Sequence, residues 1–290
     1  MVSQQINMVE ALAKIILKVE KDIAFTIMEV GALPLDNNPE PFYQLLDYFP
    51  DSNIIAFEVD QKLCDDLNKK HNKNIKFYCN AIGKKEETRK FYNTVHPMCS
   101  SLYKPDEPLL KMYNSLEVVE IKSIESIDTI SLDSFVDKHK IEKIDFIKID
   151  IQGAELEVFE GGIKTLKETC AILSEVEFIK LYEDQPLFGD VSSFLEKQGI
   201  CFHHFLGIAG RALKPLILNN NVNHPSQHMW ADAFFIKDIH YAEKIGDKQL
   251  LKIAVLSAVY NVPDVTVFCL NQYDLRKKTN LQDQFISLFN

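Results

Sequence analysis

The sequence lacks the cysteine pattern and the apolar length that mark several specialised classes of protein. Its six cysteines are scattered over 290 residues without a Cys-x-x-Cys pair, which indicates buried free thiols in a reducing compartment. A membrane span needs about 20 apolar residues, and the longest candidate, Ile253–Pro263, is much shorter. Met1–Asp22 alternates charged and apolar residues, as an amphipathic helix does and a signal peptide does not. We therefore expect a cytoplasmic protein with no membrane segment.

Basic residues are also scarce relative to acidic ones. The 32 lysines and arginines and the 42 aspartates and glutamates give a formal net charge of -10. This balance disfavours a nucleic acid as the partner, because a phosphate backbone is bound through clustered Lys and Arg. Lys62–Lys76 holds five lysines, but a segment of this kind is typically a solvated helix face.

Strand-like and helix-like segments alternate along the chain, which predicts a parallel sheet with right-handed crossovers. The predicted strands are Ala24–Val30, Asn53–Val59, Ile75–Ala81, Glu117–Ile121, Ile127–Ile130 and Cys170–Phe178, with Ile200–Leu206 and Met229–Ile236 as an antiparallel hairpin at the sheet edge. The predicted helices are Met8–Val19, Phe42–Phe49, Gln61–His71, Ser131–His139 with Ser131 as N-cap, and Val191–Gln198, followed by a mostly helical Ile239–Asn290. Arg89–Pro108 breaks the alternation and is predicted to be an ordered loop or hairpin insertion.

The run Ile144–Gly162 carries the strongest single pattern. It begins with a near-continuous apolar strand, IDFIKI, of the kind that is buried on both faces of a parallel sheet. Asp150 lies near the end of this strand, Gln152-Gly153 follow as a turn, and a helix is predicted over Ala154–Phe159. Because ligands bind beyond the carboxyl ends of such strands, we expect Asp150 at a binding crevice.

Three carboxylates stand at the ends of predicted strands, namely Glu29, Glu58 and Asp150. Side by side they would line one crevice, with Gly31 where the backbone approaches a ligand closely and Glu58 placed to accept hydrogen bonds from ribose hydroxyls. No G-x-G-x-x-G turn is present to cradle a pyrophosphate. A nucleoside without a pyrophosphate, such as S-adenosylmethionine, fits these acidic groups because its sulfonium and ammonium are cationic. The alternative is that each carboxylate is a helix cap or a surface charge.

These segments resemble the FkbM family of class I S-adenosylmethionine-dependent methyltransferases. The resemblance rests on IDFIKIDIQGAELEVFEGG, EVGA, FEVD, NAIG, HPMCSSLYKPDE and SEVEF, which together span Phe25–Lys237. It implies an α/β fold with a Rossmann-like, mostly parallel seven-stranded sheet, helices on both faces and an antiparallel edge strand. It also implies methyl transfer to an oxygen of a small molecule or glycan. The expected division is an N-terminal helix over 1–22, a methyltransferase domain over 23–238 with an insertion at 89–130, and a C-terminal helical extension over 239–290.

Six residues are assigned to the cofactor by position within this resemblance: Glu29 and Gly31 for the methionine part, Glu58 for the ribose, Asn80 and Ala81 for the adenine edge, and Asp150 for the reactive centre. Two positions depart from the family pattern. The glycine-rich first loop is replaced by Gly31-Ala32-Leu33-Pro34, and Gln152 stands where an acidic residue is common.

A hydroxyl acceptor has to lose a proton, so a base within hydrogen-bond reach is expected. The candidates are Asp150, Glu175 and Glu177. Glu175 and Glu177 share one face of the predicted strand Cys170–Phe178 at period two, near the crevice. The alternative is that one or both pair with a lysine such as Lys180.

Hydroxyl and imidazole groups supply the candidates for acceptor binding, which are His96, Ser100, Ser101, Tyr103 and His204. For the three hydroxyls, the alternative is a solvated loop capped by its own serines. His203 and His204 are adjacent on a strand, so their side chains are predicted to point to opposite faces and cannot share a metal. His224 and His228 would bind metal only if their Asn- and Pro-rich loop were helical. No metal is predicted.

Together these features predict a methyltransferase that acts on a hydroxyl of a small molecule, with a sugar, nucleotide-sugar or glycan as the acceptor. One alternative is a non-catalytic nucleotide-binding or scaffold module with a degenerate cofactor loop. Another is a methyltransferase acting on nucleic acid or protein, which the acidic charge disfavours. Leu250–Tyr260 is predicted to be a packing helix or a helix of a possible homodimer.

Overall fold

The structure, a computed structural model, describes residues 7–32, 39–70 and 73–289. Within these ranges the strands are β1 (Thr26–Val30), β2 (Asn53–Glu58), β3 (Ile75–Cys79), β4 (Ala81–Gly83), β5 (Glu87–Thr94), β6 (Ile121–Ser131), β7 (Phe146–Ile149), β8 (Ala171–Glu177), β9 (Ile200–Ala209) and β10 (Trp230–Lys237). The α-helices are α1 (Met8–Ile16), α2 (Leu45–Tyr48), α3 (Gln61–Lys70), α4 (Glu107–Leu110), α5 (Leu132–His139), α6 (Glu155–Glu160), α7 (Ile163–Leu166), α8 (Phe188–Lys197), α9 (Asp247–Val259), α10 (Pro263–Lys277) and α11 (Leu281–Ile286). Short 3₁₀ helices form at Pro41–Gln44, Pro97–Cys99, Glu117–Val119 and Ile239–Lys244.

Seven strands form one sheet in the order β3-β2-β1-β7-β8-β10-β9. β1 pairs in parallel with β2 and β7, and β8 continues the parallel arrangement beside β7. β10 runs antiparallel to both β8 and β9. The antiparallel strand therefore lies one place in from the edge, and the edge strand β9 runs in the parallel direction. The predicted fold class is confirmed.

The sheet is buried on both faces, which explains why its central strands show no polar alternation. All four residues of β7 are buried. Phe146 packs into one hydrophobic core, and Ile147 and Ile149 pack into the core on the opposite face. In register, Val30 lies beside both Phe57 and Ile149, so β1, β2 and β7 end at the same edge of the sheet. That edge carries the candidate site.

The helices divide between the two faces of the sheet. The core that includes Phe146 is covered by α1, α2, α3 and the C-terminal helices, and α5, α6, α7 and α8 cover the other face. Leu250–Ala258 of α9 are buried without interruption. A helix that is apolar around its whole circumference belongs inside a core. Of the two predictions for this segment, the packing helix is confirmed.

The segment that breaks the alternation folds into a second small sheet, in the order β4-β6-β5. The predicted strand Glu117–Ile121 is wrong over most of its length, because Glu117–Val119 is a 3₁₀ helix and β6 begins at Ile121. The residues between β5 and β6 pack against the loop after β8 through a third apolar cluster that includes Leu116 and Tyr182. This packing brings the insertion to the carboxyl edge of the large sheet.

Local signals placed several helix ends correctly. Ser131 caps α5, because its Oγ accepts a hydrogen bond from the Ser134 amide at 3.2 Å. Gly199, with φ of +76°, follows α8.

Some predictions fall on residues that lie outside the described ranges. These residues are the first six of the chain, Leu33 and Pro34 of the altered loop, and His71 at the end of one predicted helix. The domain boundaries stay predictions. In the structure, α1 and α9 share one hydrophobic core with the sheet. In the described ranges, every helix is too short or too polar to cross a membrane.

Candidate active site

Two adjoining cavities lie at the carboxyl edge of the large sheet. The β2 cavity, of about 480 Å³, is lined by Gly31, Glu58, Asn80 and Ala81 among others. The β8 cavity, of about 320 Å³, is lined by His96, Glu175, Glu177, Tyr182, Arg211 and Trp230 among others. Met98, Asp150 and Gln152 line both cavities. A group in one cavity is therefore separated from a group in the other only by this shared wall.

The β2 cavity is lined by both polar groups and apolar side chains. Glu58 Oε1 accepts hydrogen bonds from the amides of Val59 at 2.8 Å and Asp60 at 2.9 Å, and burial raises the pKa of Glu58. The Asn80 side chain makes no hydrogen bond within the described ranges. Phe57 and Leu63 supply an apolar surface in the same cavity. Asp60, which the sequence analysis did not single out, caps α3 by accepting from the Leu63 amide at 2.8 Å.

Gly31 is required for a reason that differs from the predicted one. Its φ is +83°, a left-handed conformation that favours glycine. A Cβ at this position would lie 2.0 Å from the carbonyl oxygen of Asp150. The close approach at Gly31 is therefore between two strand ends, although Gly31 also lines the β2 cavity.

Glu29 does not line either cavity, in contrast to its assigned place beside the cofactor. Successive side chains of a strand point to opposite faces, and Glu29 lies on the face opposite Met28 and Val30. There it accepts a hydrogen bond from Tyr43 Oη at 2.7 Å and stands in register beside Lys148. Burial raises the pKa of Glu29 to about 7.

Asp150 and Glu175 form the acidic floor of the β8 cavity together with Glu177. Gln152 joins the first two, because its Nε2 donates to Asp150 Oδ1 at 2.9 Å and also to Glu175 Oε2. Gln152 Oε1 accepts from Tyr182 Oη at 3.1 Å. Gln152 was predicted as a turn residue that stands where an acidic residue is common, and in the structure it is the centre of this network. Gln152 has a φ of +58° in the turn after β7, and this backbone conformation directs its side chain toward Asp150 and Glu175.

The carboxyl groups of this floor differ in protonation. Burial by itself raises the pKa of Asp150, but the Lys148 ammonium, 3.4 Å from Oδ2, and the hydrogen bond from Gln152 hold it below its usual value. Burial and the charge of Asp150 raise the pKa of Glu175 well above its usual value. Burial also raises the pKa of Glu177. At neutral pH the Asp150 carboxylate is therefore charged, whereas Glu175 and Glu177 are shifted toward the protonated form.

Glu155 is a further buried acid that the sequence analysis did not name as a site residue. Its Oε1 accepts from the amides of Ile151 at 2.9 Å and Gly153 at 3.2 Å, which fixes the turn after β7. Carboxylate oxygens of Asp150, Glu155 and Glu175 all lie within 4.8 Å of one another. Oxygen ligands of this kind suit a divalent cation. In this structure, however, the carboxyl groups already accept hydrogen bonds from Gln152 and from backbone amides.

The insertion contributes to the cavities through fewer residues than predicted. His96 lines the β8 cavity and Ser100 lines the β2 cavity. Ser101 Oγ instead donates to the Gln152 carbonyl at 2.8 Å, and Tyr103 Oη donates to Glu157 at 2.7 Å. Ser101 and Tyr103 therefore hold the insertion against the turn after β7 and the helix that follows it, and neither lines a cavity.

The prediction that the side chains of His203 and His204 point to opposite faces of the strand is wrong. Phe234 pairs with His204 and Phe235 pairs with Phe202, so His203 is the extra residue of a β-bulge. The bulge turns the two rings toward each other, and their Nδ1 atoms lie 2.9 Å apart. His204 packs against the Phe234 ring and lines neither cavity. His204, predicted to bind the acceptor, therefore lies outside both cavities.

Two residues that line the β8 cavity, Arg211 and Trp230, were not indicated by any sequence pattern. Arg211 lies in the loop between β9 and β10, and Trp230 is the first residue of β10. Trp230 lies in register beside Glu177, so β10 brings it to the end of β8. The one available signal was that Trp230 is the only tryptophan in the sequence.

A family model described as the methyltransferase FkbM domain matches residues 29–200, more than half of the chain. The chain belongs to the FkbM methyltransferase family. The predicted resemblance is confirmed, and membership implies S-adenosylmethionine as the methyl donor. The FkbM match contains Glu58, Asn80, Asp150 and Glu175, whereas Arg211 and Trp230 lie beyond it.

One relative of this FkbM chain is the 2-O-methyltransferase NoeI of Sinorhizobium fredii (strain NBRC 101917 / NGR234), 42% identical over 60 residues. That match covers 21% of this chain and only a quarter, 25%, of NoeI. Two solved structures are also similar. A Thermoplasma acidophilum protein described as a methyltransferase has a TM-score of 0.30 and 10% identity, covering 74% of this chain and 68% of that one. A SAM-dependent methyltransferase from Aquifex aeolicus has a TM-score of 0.29 and 12% identity, covering 80% and 94%.

Proposed function

We propose that this chain transfers a methyl group from S-adenosylmethionine to a hydroxyl of a sugar, nucleotide-sugar or glycan. The observation that carries the proposal is the shared wall of Met98, Asp150 and Gln152 between the two cavities. Methyl transfer needs donor and acceptor aligned across a short gap, and positioning of this kind contributes about 7–11 kcal/mol in well-oriented reactions. Two cavities that meet at one ionised carboxylate suit that requirement.

The β2 cavity has hydrogen-bonding groups and an apolar surface that suit S-adenosylmethionine. Glu58 would accept hydrogen bonds from the ribose hydroxyls, since Oε1 is used by two amides and the carboxylate has further lone pairs. The free carboxamide of Asn80 would meet the adenine edge, and Phe57 would pack on the base. When bound, S-adenosylmethionine supplies a methyl carbon made electrophilic by the attached sulfonium.

The β8 cavity would take the acceptor, and Asp150 would take its proton. Among the three acids of the floor, Asp150 is the one whose pKa is held below its usual value, so its carboxylate is charged at neutral pH and can accept the hydroxyl hydrogen. Glu175 would stay protonated, and Gln152 would hold both carboxyl groups in place. The similarity to NoeI, a 2-O-methyltransferase, supports an oxygen acceptor.

Calorimetry with S-adenosylmethionine tests the donor half of the proposal. Glu58→Ala removes the charged hydrogen-bond acceptor and should weaken binding about 10-fold or more. Glu142→Ala, at an exposed position, is the control and should bind as the wild type does. Absence of binding to the wild type would refute the proposal, and unchanged binding to Glu58→Ala would refute the ribose assignment.

Incubation of a metabolite or glycan extract with isotopically labelled donor, followed by mass spectrometry, tests the acceptor half. Label should enter a sugar-containing compound as one methyl group. Asp150→Asn should lower kcat about 10²- to 10⁴-fold, which is the usual contribution of a general base. Label on RNA or protein would overturn the acceptor class, and donor binding without any transfer would indicate a non-catalytic module.

A further inference from the structure

The β8 cavity contains a cation, Arg211, that forms no ion pair with a carboxylate of the described residues. Arg211 lines the same cavity as Asp150, Glu175 and Glu177. The sequence has three arginines. Arg89 pairs with Glu157 at 2.8 Å and Arg276 pairs with Asp247 at 3.0 Å. For Arg211, the described part of the chain supplies no ion pair.

The Arg211 guanidinium is nevertheless held in place. It stacks on the Trp230 ring at 4.9 Å from the ring centroid, and its Nη1 donates to the Gly210 carbonyl at 3.0 Å. Its backbone amide donates to the Met229 sulfur at 3.1 Å. Gly210 is packed closely enough that a Cβ there would lie 2.5 Å from the Gln227 carbonyl oxygen. The position of Arg211 is therefore set by the loop and by the start of β10.

The donors of this guanidinium are largely unused. Arg211 Nε is buried and has no hydrogen-bond partner among the described residues. A guanidinium has five N–H donors in a planar fork, and here one of them has an assigned acceptor. A buried donor without a partner is costly, and a planar fork of this kind matches the oxygens of a phosphate or carboxylate.

We propose that Arg211 binds an anionic group, a phosphate or a carboxylate, on the acceptor, and so selects anionic sugars over neutral ones. This inference rests on the proposed function, since it takes the β8 cavity as the acceptor site. The reacting hydroxyl would lie at Asp150, and the anion would lie against Arg211 and Trp230 in the same cavity. Without Arg211, the charge of Asp150 would repel such an acceptor.

The single tryptophan allows a direct binding test that does not depend on activity. Trp230 emission is followed while the full chain, saturated with S-adenosylhomocysteine, is titrated with neutral hexoses, their 1-phosphates, hexuronates and UDP-hexoses. Anionic members should bind the wild type more tightly than their neutral counterparts. The phosphates and the hexuronates distinguish the two sources of the anion.

Variants assign any preference to the guanidinium. Arg211→Gln should weaken anionic probes about 10- to 100-fold and leave neutral ones unchanged. Arg211→Lys, which keeps the charge and loses the fork, should retain part of the preference. Lys214→Gln is the matched control, because Lys214 lies three residues away on the same loop and pairs with Glu117 in solvent.

Two outcomes would overturn the proposal. One is that no anionic probe binds the wild type more tightly than its neutral counterpart. The other is that Arg211→Gln weakens neutral and anionic probes equally, which would give Arg211 a structural role only. Affinity for S-adenosylhomocysteine, measured on every variant, separates these results from a failure of the proposed function, which would abolish cofactor binding in the wild type as well.

Discussion

At the scale of single residues, similar carboxyl groups are given different properties by their surroundings. Asp150 and Glu175 share Gln152 as a hydrogen-bond donor, yet the pKa of one is lowered and that of the other raised. The difference follows from Lys148, which lies 3.4 Å from Asp150 Oδ2. Two acids whose pKa values are pushed apart can take different roles in one reaction.

Glu29 predicts a pH dependence of stability. Its pKa rises from 4.5 to about 7 on folding because the carboxyl group is buried, with Tyr43, Lys148 and Glu40 as its neighbours. The folded state therefore binds a proton that the unfolded state releases between about pH 4.5 and pH 7, so the free energy of unfolding should fall as pH rises through this window. The loss should approach about 3 kcal/mol.

Urea denaturation of Glu29→Gln over this pH range measures the effect. Glutamine keeps an acceptor for Tyr43 Oη but does not titrate, so the variant should lose this part of the slope. Exposed Glu142→Gln should retain the wild-type slope. A Glu29→Gln profile parallel to that of the wild type would show that Glu29 does not contribute this pH dependence.

At the scale of elements, the C-terminal helix α9 is joined to the sheet by a buried ion pair. Lys252 Nζ lies 2.7 Å from Asp145 Oδ1, and both residues are buried. Asp145 Oδ2 also accepts from the Thr26 amide at 2.9 Å at the start of β1. The pair therefore fixes α9 against the strand from which the crevice is built.

Lys252→Met should lower the free energy of unfolding by about 3–5 kcal/mol, because it leaves Asp145 charged and buried without its partner. Lys248→Met is the matched control on the same helix. Lys248 pairs with Asp22 in solvent, so its loss should cost less than about 1 kcal/mol. Chemical denaturation measures both, and equal losses for the two variants would contradict the assignment.

At the scale of the whole molecule, the terminal helices complete the core of the sheet. Buried side chains of α1, α9, α10 and α11 share one apolar cluster with β1 and β7. The segment 239–290, predicted as a C-terminal helical extension, contributes buried side chains to this core. Burial of apolar surface is worth about 25 cal/mol per Å², so exposing this face of the sheet would remove a large part of the stability.

A chain ending at residue 238 should therefore not fold cooperatively. Its circular dichroism on heating should show no sharp transition, and it should bind a hydrophobic dye that the full chain does not. A truncated chain that unfolds with the midpoint of the full chain would show that the C-terminal helices are a separate unit.

The sequence by itself determined the features that depend on local pattern. The near-continuous apolar run in β7 predicted a strand buried on both faces, and Ser131 predicted the start of α5, because burial period and capping are properties of neighbouring residues. The positions of Glu58 and Asp150 at strand ends were also predicted from the local pattern of the residues around them. Parallel strands end at one edge, so their meeting there followed from the alternation of elements.

Only the tertiary structure decided which distant groups meet. Asp150, Arg211 and Trp230 line one cavity because β10 returns antiparallel beside β8, and no local period encodes that pairing. The turn conformation at Gln152 and the bulge at His203 redirected side chains that a strict alternation would place elsewhere. Glu29 was assigned to the correct strand end but points to the far face, because the face that a strand residue occupies depends on register and packing.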